Sequence, residues 1–110
     1  MIIALFGITI GVIIGYYIPI SISGAFTIYL SVAILAAIDS LFGGIRANLE
    51  ERFDSVIFIS GFFGNSILAF SLAYIGDQLG VPLYYAAIFV FGTRLFQNFS
   101  IIRRYMFKRI

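Results

Sequence analysis

Residues 56–75 read VIFISGFFGNSILAFSLAYI, a run without one charged side chain, preceded by Asp54 and Ser55 and followed by Gly76, Asp77 and Gly80. At about 1.5 Å of rise per residue a helix over this run is about 30 Å long, the thickness of a bilayer's hydrocarbon core. Asp54 and Ser55 are of the residue types that cap helix N-termini, and the glycines beyond Ile75 suit a helix end. The sequence therefore predicts a transmembrane helix here.

Three other stretches share this character. Residues 1–18 carry no charge and end at Pro19, after which Ser21, Ser23 and Gly24 suit a short polar turn. Residues 25–42 form a second apolar run that contains Asp39 near its end and is expected to stop at Gly43-Gly44. Pro82 suits a first helical turn, and residues 83–102 form the last run, with Arg94, Gln97 and Asn98 inside it. Between the second and third runs, Ile45, Leu49 and Phe53 repeat every four residues among charged neighbours, which predicts a short interfacial helix over 45–54, either separate or a bent continuation of the second run, since Gly43-Gly44 allows both. The expected fold is all-α: one domain over 1–110, an integral membrane bundle of four transmembrane helices with that interfacial segment between the second and third. Turns this short make sequence neighbours antiparallel neighbours.

Composition points the same way. In 110 residues the chain is 62% hydrophobic and 18% aromatic, with only seven Lys or Arg and five Asp or Glu. A soluble domain of this size cannot bury that much apolar surface, so a bilayer must supply the apolar solvent. A cleaved signal peptide fits the first eighteen residues less well than a retained helix, because they lack a basic n-region and a small-residue cleavage pattern. The chain has no cysteine and no histidine, which removes thiolate nucleophiles, the usual zinc sites and imidazole acid–base chemistry. No enzyme activity and no cofactor are expected. A net charge of +2 is too small for nucleic-acid binding.

The basic residues instead set orientation. Arg46 and Arg52 lie in one connection and Arg103, Arg104, Lys108 and Arg109 at the C-terminus, whereas the turns 19–24 and 76–82 contain neither Lys nor Arg. By the positive-inside rule both termini face the cytoplasm.

Two kinds of residue are candidates for function. Gly7, Gly11 and Gly15 recur every four residues, as do Gly61, Asn65, Ala69 and Ala73, and such small-residue rows let helices approach closely. The first row suits either contact within the chain or an oligomer seam. The second suits the bundle interior, where the Asn65 amide needs a cross-helix partner. Asp39 and Arg94 are charges within spans, each costing about 2.5–3.5 kcal/mol at a helix centre. Both fall in the cytoplasmic half and can pair. With Asn65, Gln97 and Asn98 they make an intramembrane polar cluster, either a lock on helix register or a relay. Gly43, Gly44, Arg46, Arg52, Arg103 and Arg104 make a cytoplasmic surface suited to anionic lipid or a docking protein.

The string LAAIDSLFGGIRA over residues 35–47 resembles the signature of the bacterial small basic protein family. Phe53-Asp54, FISGFFGN at 58–65, Leu79-Gly80-Val81, FGTRLFQN at 91–98 and Ile102-Arg103-Arg104 resemble that family's pattern in order, covering nearly all of the chain after Tyr29. Asp39, Gly43, Gly44, Arg46, Asn65, Arg94 and Asn98 fall within these strings. The resemblance implies a short multi-spanning plasma-membrane protein, often encoded beside cell-division and envelope genes, and implies no settled biochemical activity. The expected function is thus a small membrane component of a larger envelope assembly, linked to division or wall growth, with the bilayer, its own copies or other membrane proteins as partners. A transporter or channel protomer, with a path lined by Asp39, Asn65, Arg94, Gln97 and Asn98, is the alternative.

Overall fold

The structure, a computed structural model, describes residues 2–17 and 24–108. The turn expected at Pro19, Ser21 and Ser23, and Arg109 of the basic tail, lie outside the described residues. The chain is all-helical over the rest: α1 (Ile2–Tyr17), α2 (Ala25–Leu49), α3 (Ser55–Leu79) and α4 (Tyr84–Lys108). Three of these, α2, α3 and α4, are long and apolar enough to cross a membrane. The sixteen residues of α1 are apolar but span only about 24 Å.

The chain around α2 explains the arrangement. Tyr29, Val32 and Ala36 of α2 pack against Ala69 and Ala73 of α3 and Ala87 and Phe91 of α4, forming the one buried apolar cluster among the described residues. Each helix contributes a stripe at helical spacing, and small residues on α3 bring its backbone close. Beyond Ala36 the α2 stripe continues as Asp39 and Ser40, both buried, and Asn98 is buried on α4. Toward the same end the α3 stripe passes from Ala69 to Asn65 and Gly61, and the α4 stripe from Phe91 to Arg94. All three inward stripes therefore change from apolar to polar at one level. Side chains facing away are large and exposed, Phe89 at 76% and Ile67 at 63% among them, which in water would be an untenable surface and in lipid is ordinary.

One expectation needs correction and one open choice narrows. Gly43-Gly44 does not stop the second helix, which runs unbroken to Leu49, so residues 45–49 continue α2 and no separate interfacial helix forms over 45–54. A glycine inside a helix costs about 1 kcal/mol relative to alanine. Here close packing offsets that cost: a Cβ on Gly44 would stand 2.5 Å from the Phe58 ring, and one on Gly43 would touch the Asn98 amide at 3.5 Å. The open choice concerns α1. A Cβ added at Gly7, Gly11 or Gly15 would meet nothing within 4 Å, so this glycine row is not a seam within the described chain. Gly7 and Gly11 instead border an apolar groove of about 710 Å³ against Ile34, Ile38 and Phe62.

Both connections among α2, α3 and α4 close in the same way. After α3, Gly80 takes a left-handed conformation at φ 73°, with Gly80 N–H donating to Asp77 O and Val81 N–H to Gly76 O. After α2, Glu51 takes the same role at φ 60°, with Glu51 N–H donating to Asn48 O and Arg52 N–H to Ala47 O. Asp54 then caps α3, its Oδ1 accepting from Val56 and Ile57 N–H at 2.9 and 3.2 Å. A side chain in the left-handed region is strained by about 1–2 kcal/mol, which glycine avoids. Glu51→Gly is expected to stabilise the protein by up to about 1 kcal/mol and Gly80→Ala to destabilise it by about 1 kcal/mol, read as opposite shifts in thermal unfolding in detergent.

Candidate functional site

The polar level lies toward the end of the bundle that carries the arginines. Asp39 has no solvent exposure, and its Oδ1 accepts from Asn98 Nδ2 at 3.1 Å. Its Oδ2 lies 3.4 Å from Arg94 Nε without a hydrogen bond. The Arg94 side chain is 48% exposed and rests over the Phe91 ring. Asn98 also accepts, at Oδ1, from Arg46 Nη1 at 3.2 Å. A continuous polar chain thus runs from Arg46 through Asn98 and Asp39 to Arg94. On the other side of α2, Asn65 Nδ2 donates to Ser40 Oγ at 3.2 Å, and Ser40 Oγ donates to Gly61 O at 3.4 Å.

Every cross-helix hydrogen bond or ion pair at this end, among the described residues, has one partner on α2. Between α3 and α4 a cavity of about 370 Å³ remains, lined on one wall by Gly61 and Asn65, on the other by Arg94, Gln97 and Asn98, with Gly43, Gly44 and Arg46 below. Arg52, Phe53, Asp54, Ile57 and Phe58 form its rim and shoulder. Arg52 is held by Glu50, with Nη2 2.6 Å and Nε 2.8 Å from Oε1. That same oxygen stands 3.5 Å from Arg46 Nε, which is buried and makes no hydrogen bond. Asp39 itself does not border the cavity; Asn98 and Arg94 stand at the wall.

The structure therefore brings together Asp39, Asn65, Arg94, Gln97 and Asn98, and adds Gly43, Gly44, Gly61, Arg46 and Arg52 to the same place. It does not bring Arg103 and Arg104 there: both are exposed on the last turns of α4, and Arg104 borders a separate shallow groove with Phe96 and Ser100. Gly7, Gly11 and Gly15 are on α1, away from the cavity. Sequence reasoning missed Ser40, whose signal was its place beside Asp39 on the inward stripe. It also missed a polar contact at the opposite end, where the Tyr29 hydroxyl donates to Asp77 Oδ2. Asp77 is the one charged residue between Asp54 and Arg94, a signal that was available. Chemically, the cavity offers guanidinium and amide donors. Among the described residues no group of three His, Cys, Asp or Glu is placed to hold a metal ion.

Fold and site together define a class, a small helical membrane protein with a charged network inside its bundle. A family profile described as "Protein of unknown function (DUF1290)" matches residues 22–107, and the chain belongs to this small basic protein family. The chain is 53% identical over 98 residues to the "Small basic protein" of Bacillus subtilis, covering 89% of this chain and 81% of that protein. Uncharacterized proteins of Mycobacterium bovis and Mycobacterium tuberculosis are each 38% identical over 102 residues, covering 91% of this chain and 84% of theirs. No solved structure matches. The matched residues begin just before α2, so the profile covers the three packed helices and leaves α1 outside.

Removing one member of a buried ion pair leaves the other uncompensated, at about 3–5 kcal/mol when both are buried. Because Arg94 is half exposed, Arg94→Gln is expected to cost at most the low end of that range. Asp39→Asn introduced with it is expected to recover most of the loss, since an amide still pairs with Asn98. Unfolding midpoints of the two single variants and the double variant check this coupling.

Proposed function

We propose that the protein is a non-enzymatic subunit of a larger assembly in the bacterial plasma membrane, with four spans, the arginine-bearing end in the cytoplasm, and α1 as the helix that joins its partners. The observation that carries this reading is the open glycine row of α1. Apolar faces alone say nothing, because lipid tails cover them at no cost. A row of bare backbone is different: it gains by close packing against another helix, and nothing in the described chain occupies it.

Orientation is supported by charge. Arg46, Arg52, Arg94, Arg103, Arg104 and Lys108 lie in the half where α2 ends and α3 begins, whereas the far connection, from Gly76 to Pro82, has Asp77 as its one charge. Tyr29, Tyr74, Tyr84 and Tyr85 gather near that far end, as interfacial aromatics do. Cell division or wall growth as the process rests on the family resemblance. The alternative of a transport protomer is less well supported, because the polar lining stops at Asp39, Asn65 and Arg94. Beyond it Val32, Ala36, Ala69, Ala73, Ala87 and Phe91 fill the bundle.

The cysteine-free sequence makes orientation simple to test. Glu51→Cys is expected to react with a membrane-impermeant maleimide only after the cells are opened, and Gln78→Cys in intact spheroplasts; the reverse pattern would invert the proposed topology.

Photocrosslinkers at positions 11 and 46, followed by native purification and mass spectrometry, test assembly. Envelope or division proteins are expected at position 11, and Gly11→Leu is expected to abolish their recovery. If Gly11→Leu and Arg46→Ala leave every native association and the growth phenotype unchanged, the reading fails. Crosslinks to copies of the same chain alone would favour a homo-oligomer.

A further inference from the structure

The cavity between α3 and α4 is lined by three arginines, Arg46, Arg52 and Arg94, against one carboxylate, Asp54. An arginine has five N–H groups and no acceptor, and it stays charged. Arg94, on one wall, has as its polar contact the 3.4 Å approach of Nε to Asp39, with the rest of its guanidinium free to point into the cavity. Arg46, below, uses Nη1 for Asn98, and its buried Nε faces Glu50 Oε1 at 3.5 Å, which leaves Nη2 for a ligand. Nearby, Asp39 Oδ1 is engaged by Asn98, Glu50 Oε1 by Arg52 and Asp54 Oδ1 by the first turn of α3, which leaves Asp54 Oδ2 as a carboxylate oxygen of the lining that makes no hydrogen bond. Asp39 Oδ2, the remaining buried oxygen without a hydrogen bond, belongs to a residue outside the cavity lining.

We propose that this cavity binds a phosphate-ester anion between Arg46 and Arg94. A tetrahedral phosphate presents several acceptor oxygens at once, and paired guanidiniums with Asn65 and Gln97 amides beside them match that demand. At about 370 Å³ the space falls at the small end of ligand pockets, which suits a phosphate with its first ester groups. Ile57, Phe58 and Phe53 give the cavity an apolar shoulder, which an ester-linked glycerol or acyl chain can cover. The anion comes either from a phospholipid headgroup or from a soluble phosphate. This site is separate from α1, so it stands or falls independently of the assembly reading.

The test uses the purified full chain in non-ionic detergent. Retention of phosphatidylglycerol and of phosphatidylcholine is read by native mass spectrometry, and binding of inorganic phosphate by phosphorus NMR line broadening. One phosphatidylglycerol per chain is expected to be retained over phosphatidylcholine. Affinity is expected to fall about tenfold or more in Arg94→Gln, the loss of charge-assisted hydrogen bonds. Gly61→Phe, which fills the cavity and removes no charge, is expected to give the same loss should Arg94→Gln fold poorly. Arg103→Gln with Arg104→Gln, outside the cavity, is expected to leave binding unchanged. Inorganic phosphate binding that shows the same variant pattern would support the site and identify its ligand as soluble. Phosphatidylglycerol retained no better than phosphatidylcholine, without phosphate binding, would overturn the proposal. So would anion binding that survives Gly61→Phe and falls with Arg103→Gln and Arg104→Gln.

Discussion

A carboxylate without solvent exposure, carried partway along an apolar helix, imposes conditions on everything near it. Asp39 needs donors, and the donors must arrive on other helices because its own backbone N–H groups are spent on α2. Asn98 supplies a hydrogen bond and Arg94 a counter-charge at 3.4 Å, both from α4 and one turn apart, so α4 can slide neither up nor down without losing one or both. Asn98 in turn reaches Arg46, one further turn along α2 from Gly43. Gly43 packs against the Asn98 amide there, close enough that a Cβ would touch it at 3.5 Å. One charge therefore fixes the height of α4 against α2, while Ser40, its neighbour, holds Asn65 and the Gly61 carbonyl and does the same for α3.

The polar contacts specify and the apolar cluster packs. Tyr29, Val32, Ala36, Ala69, Ala73, Ala87 and Phe91 would accept several sliding registers, because small apolar faces match one another at every turn. The network at Asp39 does not. A helix interface in lipid lacks the hydrophobic driving force that favours association in water, which leaves close packing and interhelical hydrogen bonds to choose the arrangement. With α2 central, α3 and α4 are each matched to the same helix and not to each other. That leaves the space between them at the arginine-bearing end.

Much of this was legible in the sequence wherever a local pattern decided the outcome. The charge-free run 56–75 marks a helix because no other backbone form satisfies itself in lipid, and the residues that could not be apolar by accident, Asp39, Asn65, Arg94 and Asn98, are those that meet. What was not legible depended on partners far along the chain. Gly43-Gly44 reads locally as a helix end and becomes an interior contact once Phe58 and Asn98 are in place. Arg46 reads as part of a cytoplasmic surface, and its reach to Asn98, fifty-two positions away, is not visible in residue spacing. The glycine row of α1 reads as a packing surface, and whether its partner lies within the same chain is a question of tertiary structure that residue spacing does not address.

The equal lengths of α2, α3 and α4 carry one more consequence. Each has 25 residues and so measures about 37 Å, about 7 Å more than a typical hydrocarbon core. Such an excess is met by tilting, by local thickening of the bilayer, or by letting one end stand proud. The tyrosines at the far end favour anchoring that end at the interface, and the charged final turns of α2 and α4 favour the surplus at the other. With the far end held at an interface, Asp39, about 21 Å along α2 from Ala25, would fall past the midplane of a core about 30 Å thick. A charge network that would be prohibitive at the midplane becomes a depth gauge, and a thinner or thicker membrane would change how much of it is wet.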